Sequence, residues 1–334
     1  MPASASTRTV ARLFLFASIG TLAACGGDVR PSQDAITPRV VAPAPKPIRI
    51  GLALGGGAAK GFAHIGVIKM LEANGIKIDV VSGTSAGSVV GALYASGMDA
   101  FALQKQAVAL DEDRIKDVRL FSGGLVQGQA LQDYVNASVK NRPIEKLGKP
   151  FAAVSTQLET GTRTVFTRGN TGQAVRASSS IPGVFEPVPI GAVHYIDGGI
   201  VSPVPVDAAR QLGADFVIAV DISSKAPGSA PTSLLGTVNQ SITIMGQKLG
   251  EQELARADVV IRPRVNGVGP AAFEQKGDVI LEGERAAVAA LPQIRAKLAQ
   301  LRASRIPKPA PAPTKPACTP SKLPDWLHKG DCKN

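Results

Sequence analysis

Histidine, cysteine and aromatic residues are scarce in this chain. Its 334 residues include three histidines and three cysteines, and only 4% are aromatic. The histidines are scattered and no ligand spacing recurs, so neither a metal site nor any other cofactor is implied. The histidines also fail as partners for a nucleophile. His64 falls inside a helical pattern just after Gly61, where it packs or caps. His194 precedes Asp197 by three residues on a strand, and alternation turns it to the opposite face. His328 lies in the tail, beyond a proline tract. No Ser-His-Asp triad can be assembled from them. Other absences narrow the field. A formal charge of +11 invites anionic partners, but no basic run is interleaved with aromatics, which argues against nucleic acid. The apolar stretch at residues 13–24, "LFLFASIGTLAA", is too short for an ordinary membrane span. No internal repeat is present.

The N-terminal segment describes an exported protein. Arg8 and Arg12 form a positive region ahead of that short apolar stretch, which is the layout of an export signal. The stretch ends in "LAAC" (residues 22–25), which resembles the bacterial lipobox, where the cysteine is lipidated and becomes the first mature residue. The resemblance implies a lipoprotein signal peptide over residues 1–24 and acyl chains on Cys25 that hold the protein at a bilayer. Gly26 follows the cysteine where Asp would mark retention. In Gram-negative lipoproteins this implies the outer membrane, here facing the periplasm. Residues 25–47 then read as the lipidated cysteine and a Pro-rich linker. Residues 48–304 form a single folded domain and 305–334 a Pro-rich C-terminal tail. Cys318 and Cys332 both fall in the tail. An oxidising compartment permits a disulfide between them, with two free thiols as the alternative.

Thirty-five glycines, 44% hydrophobic residues and 19% charged residues suit an α/β fold with tight turns. The domain opens with a strand, "IRIGLALGG". A glycine loop follows, and then a helix, "FAHIGVIKMLEANG", ended by Asn74-Gly75. "IKIDVVSG" is the second strand and "AGSVVGALYASG" the second helix. Strand and helix alternating through short connections indicate a parallel, doubly wound sheet. Residues 98–148 look helical with polar gaps. "PFAAVSTQL", "RTVFTRG", "HYIDGG", "DFVIAVDIS" and "DVVIRPRV" supply further strands. Helices are expected over residues 233–257 and 277–303.

Gly83-Thr84-Ser85-Ala86-Gly87 fits G-x-S-x-G at the second strand–helix turn. A nucleophile there stands clear of the sheet on strained backbone, and Gly83 and Gly87 avoid collisions that a Cβ would make. The N–H of Ala86 opens the helix and points where an oxyanion could form. A helix-capping serine in a plain Gly-rich turn is the alternative. The earlier loop, "GLALGGGAAKGFAH", carries successive N–H groups that make an anion nest. From Gly55 the last position of a dinucleotide fingerprint is Lys60, and from Gly56 the middle one is Ala58, so neither register fits. Nor is it a Walker A loop, because Lys60 precedes Gly61. A nest for an oxyanion remains, one βα unit before Ser85. Asp197, in "YIDGG", ends a strand. Gly198 and Gly199 would let the chain turn tightly about its carboxylate, although a lone Asp-Gly-Gly also suits an ordinary turn.

The glycine nest, G-x-S-x-G and D-G-G, in that order, closely resemble the patatin-like phospholipase family, here as a bacterial, lipoprotein-anchored member. The resemblance covers most of residues 48–225, including "ASSSIPGVFEPV" (177–188). It implies a three-layer α/β/α sandwich with a mostly parallel central sheet. It also implies a Ser-Asp dyad: Ser85 as nucleophile, Asp197 as base, and Gly55, Gly56 and Gly57 as the oxyanion hole beside Ala86. Lys60 stands where the family often has Arg, keeping the charge but losing the fork geometry. The expected activity is hydrolysis of carboxylic esters of phospholipids or lysophospholipids, with membrane lipids as both substrate and anchor. The alternative is a non-enzymatic lipid- or partner-binding lipoprotein on the same fold.

Overall fold

The computed structural model describes residues 46–110, 126–225 and 229–306. The expected signal peptide, Cys25, most of the expected linker, Cys318 and Cys332 lie outside the described residues. Within them, no helix is long and apolar enough to cross a membrane.

The described residues fold around one eight-stranded mixed sheet. Its strands are β1 (Ile50–Leu54), β2 (Val80–Thr84), β3 (Phe151–Gln157), β4 (Arg163–Phe166), β5 (Val188–Ile190), β6 (Val193–Asp197), β7 (Phe216–Val220) and β8 (Val259–Ile261). The order is β5-β6-β3-β2-β1-β7-β8, with β4 also pairing with β3. The run from β3 to β8 is parallel, whereas β4, β5 and β6 join in antiparallel pairs. The helices are α1 (Phe62–Ala73), α2 (Ala86–Ala95), α3 (Ala100–Ala109), α4 (Gln129–Ser138), α5 (Thr171–Ser178), α6 (Val206–Gln211), α7 (Leu234–Leu254) and α8 (Lys276–Arg305).

Strand alternation sorts the core into two layers. Leu52, Leu54, Val81, Phe216, Ile218 and Val220 face one side, where they pack with α1, α2, α3 and α8. Ala53, Val80, Val217 and Ala219 face the other, under α6 and the end of α7. The result is the expected three-layer α/β/α sandwich. The central strands are buried on both faces, which explains their continuous apolar sequence. Each of the first two strands runs directly into a loop and a helix. The residues after β1 and β2 therefore emerge together at one edge of the sheet, where open α/β sheets place their sites.

Register brings in the third element. Thr84 of β2 pairs with Val154 of β3, and the next residue of β3, Ser155, pairs with Asp197 of β6. Ser85 and Asp197 thus sit at one level, two strands apart. Strand spacing puts their backbones on the order of 10 Å from each other, a gap that two inward side chains close. The antiparallel direction of β6 is what makes this possible, because its C-terminal end returns to the end of β2.

Candidate active site

Ser85 caps α2 with φ 53° and ψ −125°, a conformation that turns normally reserve for glycine. It makes no side-chain cap to the helix. Its own backbone is fixed instead: its N–H donates to Ser178 Oγ at 2.9 Å, and Ser178 Oγ donates to Val154 O. The elbow is held closed by contacts too tight for any side chain. A Cβ on Gly83 would lie 2.3 Å from Gly87 O, and one on Gly87 would lie 2.1 Å from Leu54 O. The two glycines of the motif are thus required by close approach, and neither has a positive φ.

Asp197 is buried, with its Oδ1 accepting from the Gly199 N–H at 2.6 Å. Its backbone is pinned by the Asp197 N–H donating to Ser180 O at 2.8 Å and by Thr156 Oγ1 donating to Asp197 O at 2.9 Å. Gly198 passes over β3 so closely that a Cβ there would lie 2.1 Å from Val154 O. Burial raises the Asp197 carboxyl from its ordinary 3.8 to about 6, against the opposing pull of the Ser85 hydroxyl and the Gly199 N–H. The Ser85 hydroxyl is close enough to act on the carboxylate. Yet Oδ2, which is buried, meets no donor at full hydrogen-bonding geometry. A buried carboxylate oxygen without a partner is costly and needs a reason.

The glycine loop corrects one expectation. The Gly55 N–H donates to Val220 O and the Gly56 N–H to Pro203 O, both at 3.0 Å. These two groups stitch the loop to its neighbours and do not face an incoming oxygen. Gly57, Ala58 and Ala86 are different: among the described residues their N–H groups have no protein acceptor. Ala58 has φ 51°, in the left-handed region, although it carries a Cβ. Gly56 is packed against the nucleophile elbow, since a Cβ on it would come within 3.3 Å of Ser85 Cβ.

The remaining titratable groups near the loop are structural. His64 is fully buried in α1, and its Nε2–H donates to Gly55 O at 2.8 Å. Burial lowers its pKa to about 4, so the ring is neutral and clips the loop in place. His194 is exposed and pairs with Glu159 at 2.8 Å, away from Ser85. Lys60 is buried, and its Nζ donates to Ser224 Oγ at 2.8 Å. Burial lowers its pKa, offset in part by Asp221.

Two sets of residues were not anticipated from sequence. One is the support beneath the site. Glu253 of α7 is buried, accepts from Ser202 Oγ, and accepts from the Val204 N–H at 2.9 Å. Ser202 O in turn accepts from Thr84 Oγ1 at 2.8 Å, beside Ser85. Burial raises the Glu253 carboxyl to about 7. The other is an apolar cavity of about 310 Å³ that opens at Ser85. Its walls include Phe62, Leu93, Leu131, Ile181, Phe185 and Phe273. These come from α1, α2, α4 and two loops far apart in sequence.

A serine on a strained strand–helix elbow, an aspartate level with it and a glycine loop alongside, all on a three-layer α/β/α sheet, define a class of protein. Residues 52–210 match the patatin-like phospholipase family and form a domain of that family. An uncharacterized NTE family protein of Mycobacterium tuberculosis is 38% identical over 184 residues, covering 54% of this chain and 51% of the relative. A second from the same species is 32% identical over 272 residues, covering 72% of this chain and 46% of the relative. Patatin-like phospholipase domain-containing protein 6 of Mus musculus is 34% identical over 184 residues, covering 53% of this chain and 14% of that protein. The chain spans about half the length of the mycobacterial relatives it matches. VipD from Legionella pneumophila shares the fold, with a TM-score of 0.52 at 15% identity over 74% of this chain and 67% of that one.

Proposed function

We propose that the chain is a serine lipid-acyl hydrolase that cleaves carboxylic esters of phospholipids or lysophospholipids through a Ser85–Asp197 dyad. The observation that carries this reading is one juxtaposition. A buried carboxylate oxygen without a partner stands beside a strained serine, at the mouth of an apolar cavity. The strain and the unmet oxygen are both costs that a merely structural turn would not bear.

The chemistry follows from the groups present. Asp197 accepts the hydroxyl proton of Ser85 as Oγ adds to the ester carbonyl. The free N–H groups of Gly57, Ala58 and Ala86, with the positive end of α2, meet the oxyanion. As the tetrahedral species collapses, the carbon–oxygen bond to the alcohol breaks and the proton on Asp197 passes to the leaving oxygen. Water repeats the sequence on the acyl-enzyme and releases the fatty acid. The raised pKa of Asp197 makes it a stronger base than an ordinary carboxylate. The cavity takes the acyl chain, whose burial supplies about 0.8 kcal/mol per methylene.

The setting belongs to the same proposal. A lipid anchor on Cys25, in the outer membrane and facing the periplasm, would tether the domain to the bilayer that carries its substrate. The test is acyl release from mixed phospholipid and lysophospholipid vesicles by the mature protein and its Ser85→Ala variant. Release that depends on Ser85 supports the hydrolase. Equal release by both rejects the dyad. No release, together with no labelling of Ser85 by a phosphonate, favours a lipid-binding lipoprotein.

A further inference from the structure

A second cleft, of about 300 Å³, lies beyond the carboxyl ends of β7 and β8. Three cations line it, Lys225, Arg262 and Arg264, against a single carboxylate, Asp221. That carboxylate is already engaged. Its Oδ1 accepts from the Ser223 N–H at 3.1 Å and from the Ser223 hydroxyl at 2.6 Å, and Oδ2 lies 3.4 Å from Arg262 Nε. Lys225 and Arg264 are exposed and, among the described residues, have neither an ion pair nor a hydrogen bond. Arg262 and Arg264 also border the groove between β8 and α8, where Arg285 is matched by Glu282.

Exposed cations alone are ordinary, because water satisfies them. The position of this cleft is what sets it apart. Ile222, on its wall, packs against the glycine loop: a Cβ on Gly57 would lie 2.8 Å from Ile222 Cδ1. The opposite wall, residues 262–267, runs on into Pro270, Ala271 and Phe273, which close the apolar cavity at Ser85. Pro270 O also accepts from the Ala59 N–H of the glycine loop at 3.1 Å. One chain segment therefore walls both spaces, and the glycine loop lies between them. The two spaces differ in chemistry as the two ends of an acylated phosphate ester do.

We infer that this cleft is a subsite for a phosphate mono- or diester group, held by Lys225, Arg262 and Arg264. Arg262 and Arg264 supply planar donor forks that suit phosphate oxygens, and Lys225 supplies a point charge. The inference deepens the hydrolase reading and rests on it for the source of the phosphate, which is the headgroup of the ester being cleaved. Free phosphate offers the same chemistry, so the test separates the two.

The variant is Lys225→Gln with Arg264→Gln in the full chain. Arg262 is retained because its loss would strand the Asp221 carboxylate. Hydrolysis is measured on a soluble lysophosphatidate and on an uncharged monoacylglycerol with the same chain. Loss of two exposed ion pairs raises KM for the lysophosphatidate about tenfold, with kcat and the uncharged ester unchanged. Calorimetry on the Ser85→Ala protein, with and without the two cleft substitutions, then reads binding of inorganic phosphate and of lysophosphatidate. Cleft-dependent binding of both, with the KM effect, supports the headgroup source. Cleft-dependent binding of inorganic phosphate without any KM effect supports a free-phosphate site. If the cleft substitutions move neither binding nor the KM ratio, the subsite is refuted. Failure of Ser85-dependent hydrolysis would remove the acyl-hydrolase reading but leave the calorimetric test of the cleft in force.

Discussion

Replacing Asp197 with Asn removes the proposed base, and it also changes how stability depends on pH. Burial raises this carboxyl from 3.8 to about 6 in the folded protein. A raised pKa means that folding favours the protonated form. The contribution to stability is fully present below the unfolded value and is lost as pH rises through the folded one. The shift of about two units, at 1.36 kcal/mol per unit, makes ionised Asp197 a burden of about 3 kcal/mol above roughly pH 7. Asn carries no charge, so the variant escapes that burden. It retains the Oδ1 acceptor for Gly199 but brings an amide N–H₂ to the position where Oδ2 has no partner, a cost that does not vary with pH. The difference in unfolding free energy between variant and wild type therefore rises by about 3 kcal/mol between about pH 3 and pH 7.5. The other buried titratable groups, among them Lys60, His64, Asp221 and Glu253, are common to both proteins and cancel in that difference. Urea unfolding of both proteins across this range measures it directly. Equivalently, the gap in Tm widens by roughly 6–12 °C for a domain of this size. A difference that stays flat with pH would show that Asp197 is not a buried carboxylate of raised pKa, and would remove the physical basis for its role as base.

Further outcomes follow from the same geometry. Ser85→Gly relieves the left-handed backbone at the elbow at the cost of some chain entropy, and is expected to gain about 1 kcal/mol in urea unfolding while losing all acyl release. Gly198→Ala drives a methyl group to within 2.1 Å of Val154 O, so the protein is expected to lose most of its folded population, as read by circular dichroism. Glu253→Ala leaves the Ser202 hydroxyl and the Val204 N–H buried without an acceptor, and is expected to lower stability by about 2–4 kcal/mol in urea unfolding. Glu253→Gln keeps one acceptor and should lose clearly less.

The parts of the site that lie on one turn were legible in the sequence, because each is a local necessity. Gly83 and Gly87 mark a helix pressed against a strand end, and Asp197-Gly198-Gly199 marks a chain that must cross β3 closely. The alternation of apolar strands and helices gave the parallel part of the sheet. What was not legible depends on pairing between distant segments. Of the eight strands described, β4, β5 and β6 join the sheet through antiparallel pairs alone, and that reversal in β6 brings Asp197 level with Ser85. The loop reads as an anion nest, and the family resemblance implies Gly55 and Gly56 as donors to an oxyanion. Their acceptors, Val220 O and Pro203 O, are more than a hundred residues away and could not be inferred from the loop. The apolar cavity escaped for the same reason, since Phe62, Leu131, Phe185 and Phe273 each look like ordinary core residues in their own segments. Ser178 and Glu253 hold the elbow through hydrogen bonds to distant backbone and side chain; Ser178 lies in the block 177–188 but nothing in that block shows which serine reaches Ser85, and Glu253 belongs to no local motif.

The central claim is that Asp197, as a carboxylate, activates Ser85. It is tested most directly by the rate at which a fluorophosphonate labels Ser85 as a function of pH, in the wild-type protein and in Asp197→Asn. The account predicts wild-type labelling that falls as pH drops through about 6, where Asp197 becomes protonated, and no labelling above background in Asp197→Asn at any pH. Labelling of Asp197→Asn at the wild-type rate, or a wild-type rate indifferent to pH across that range, would contradict it.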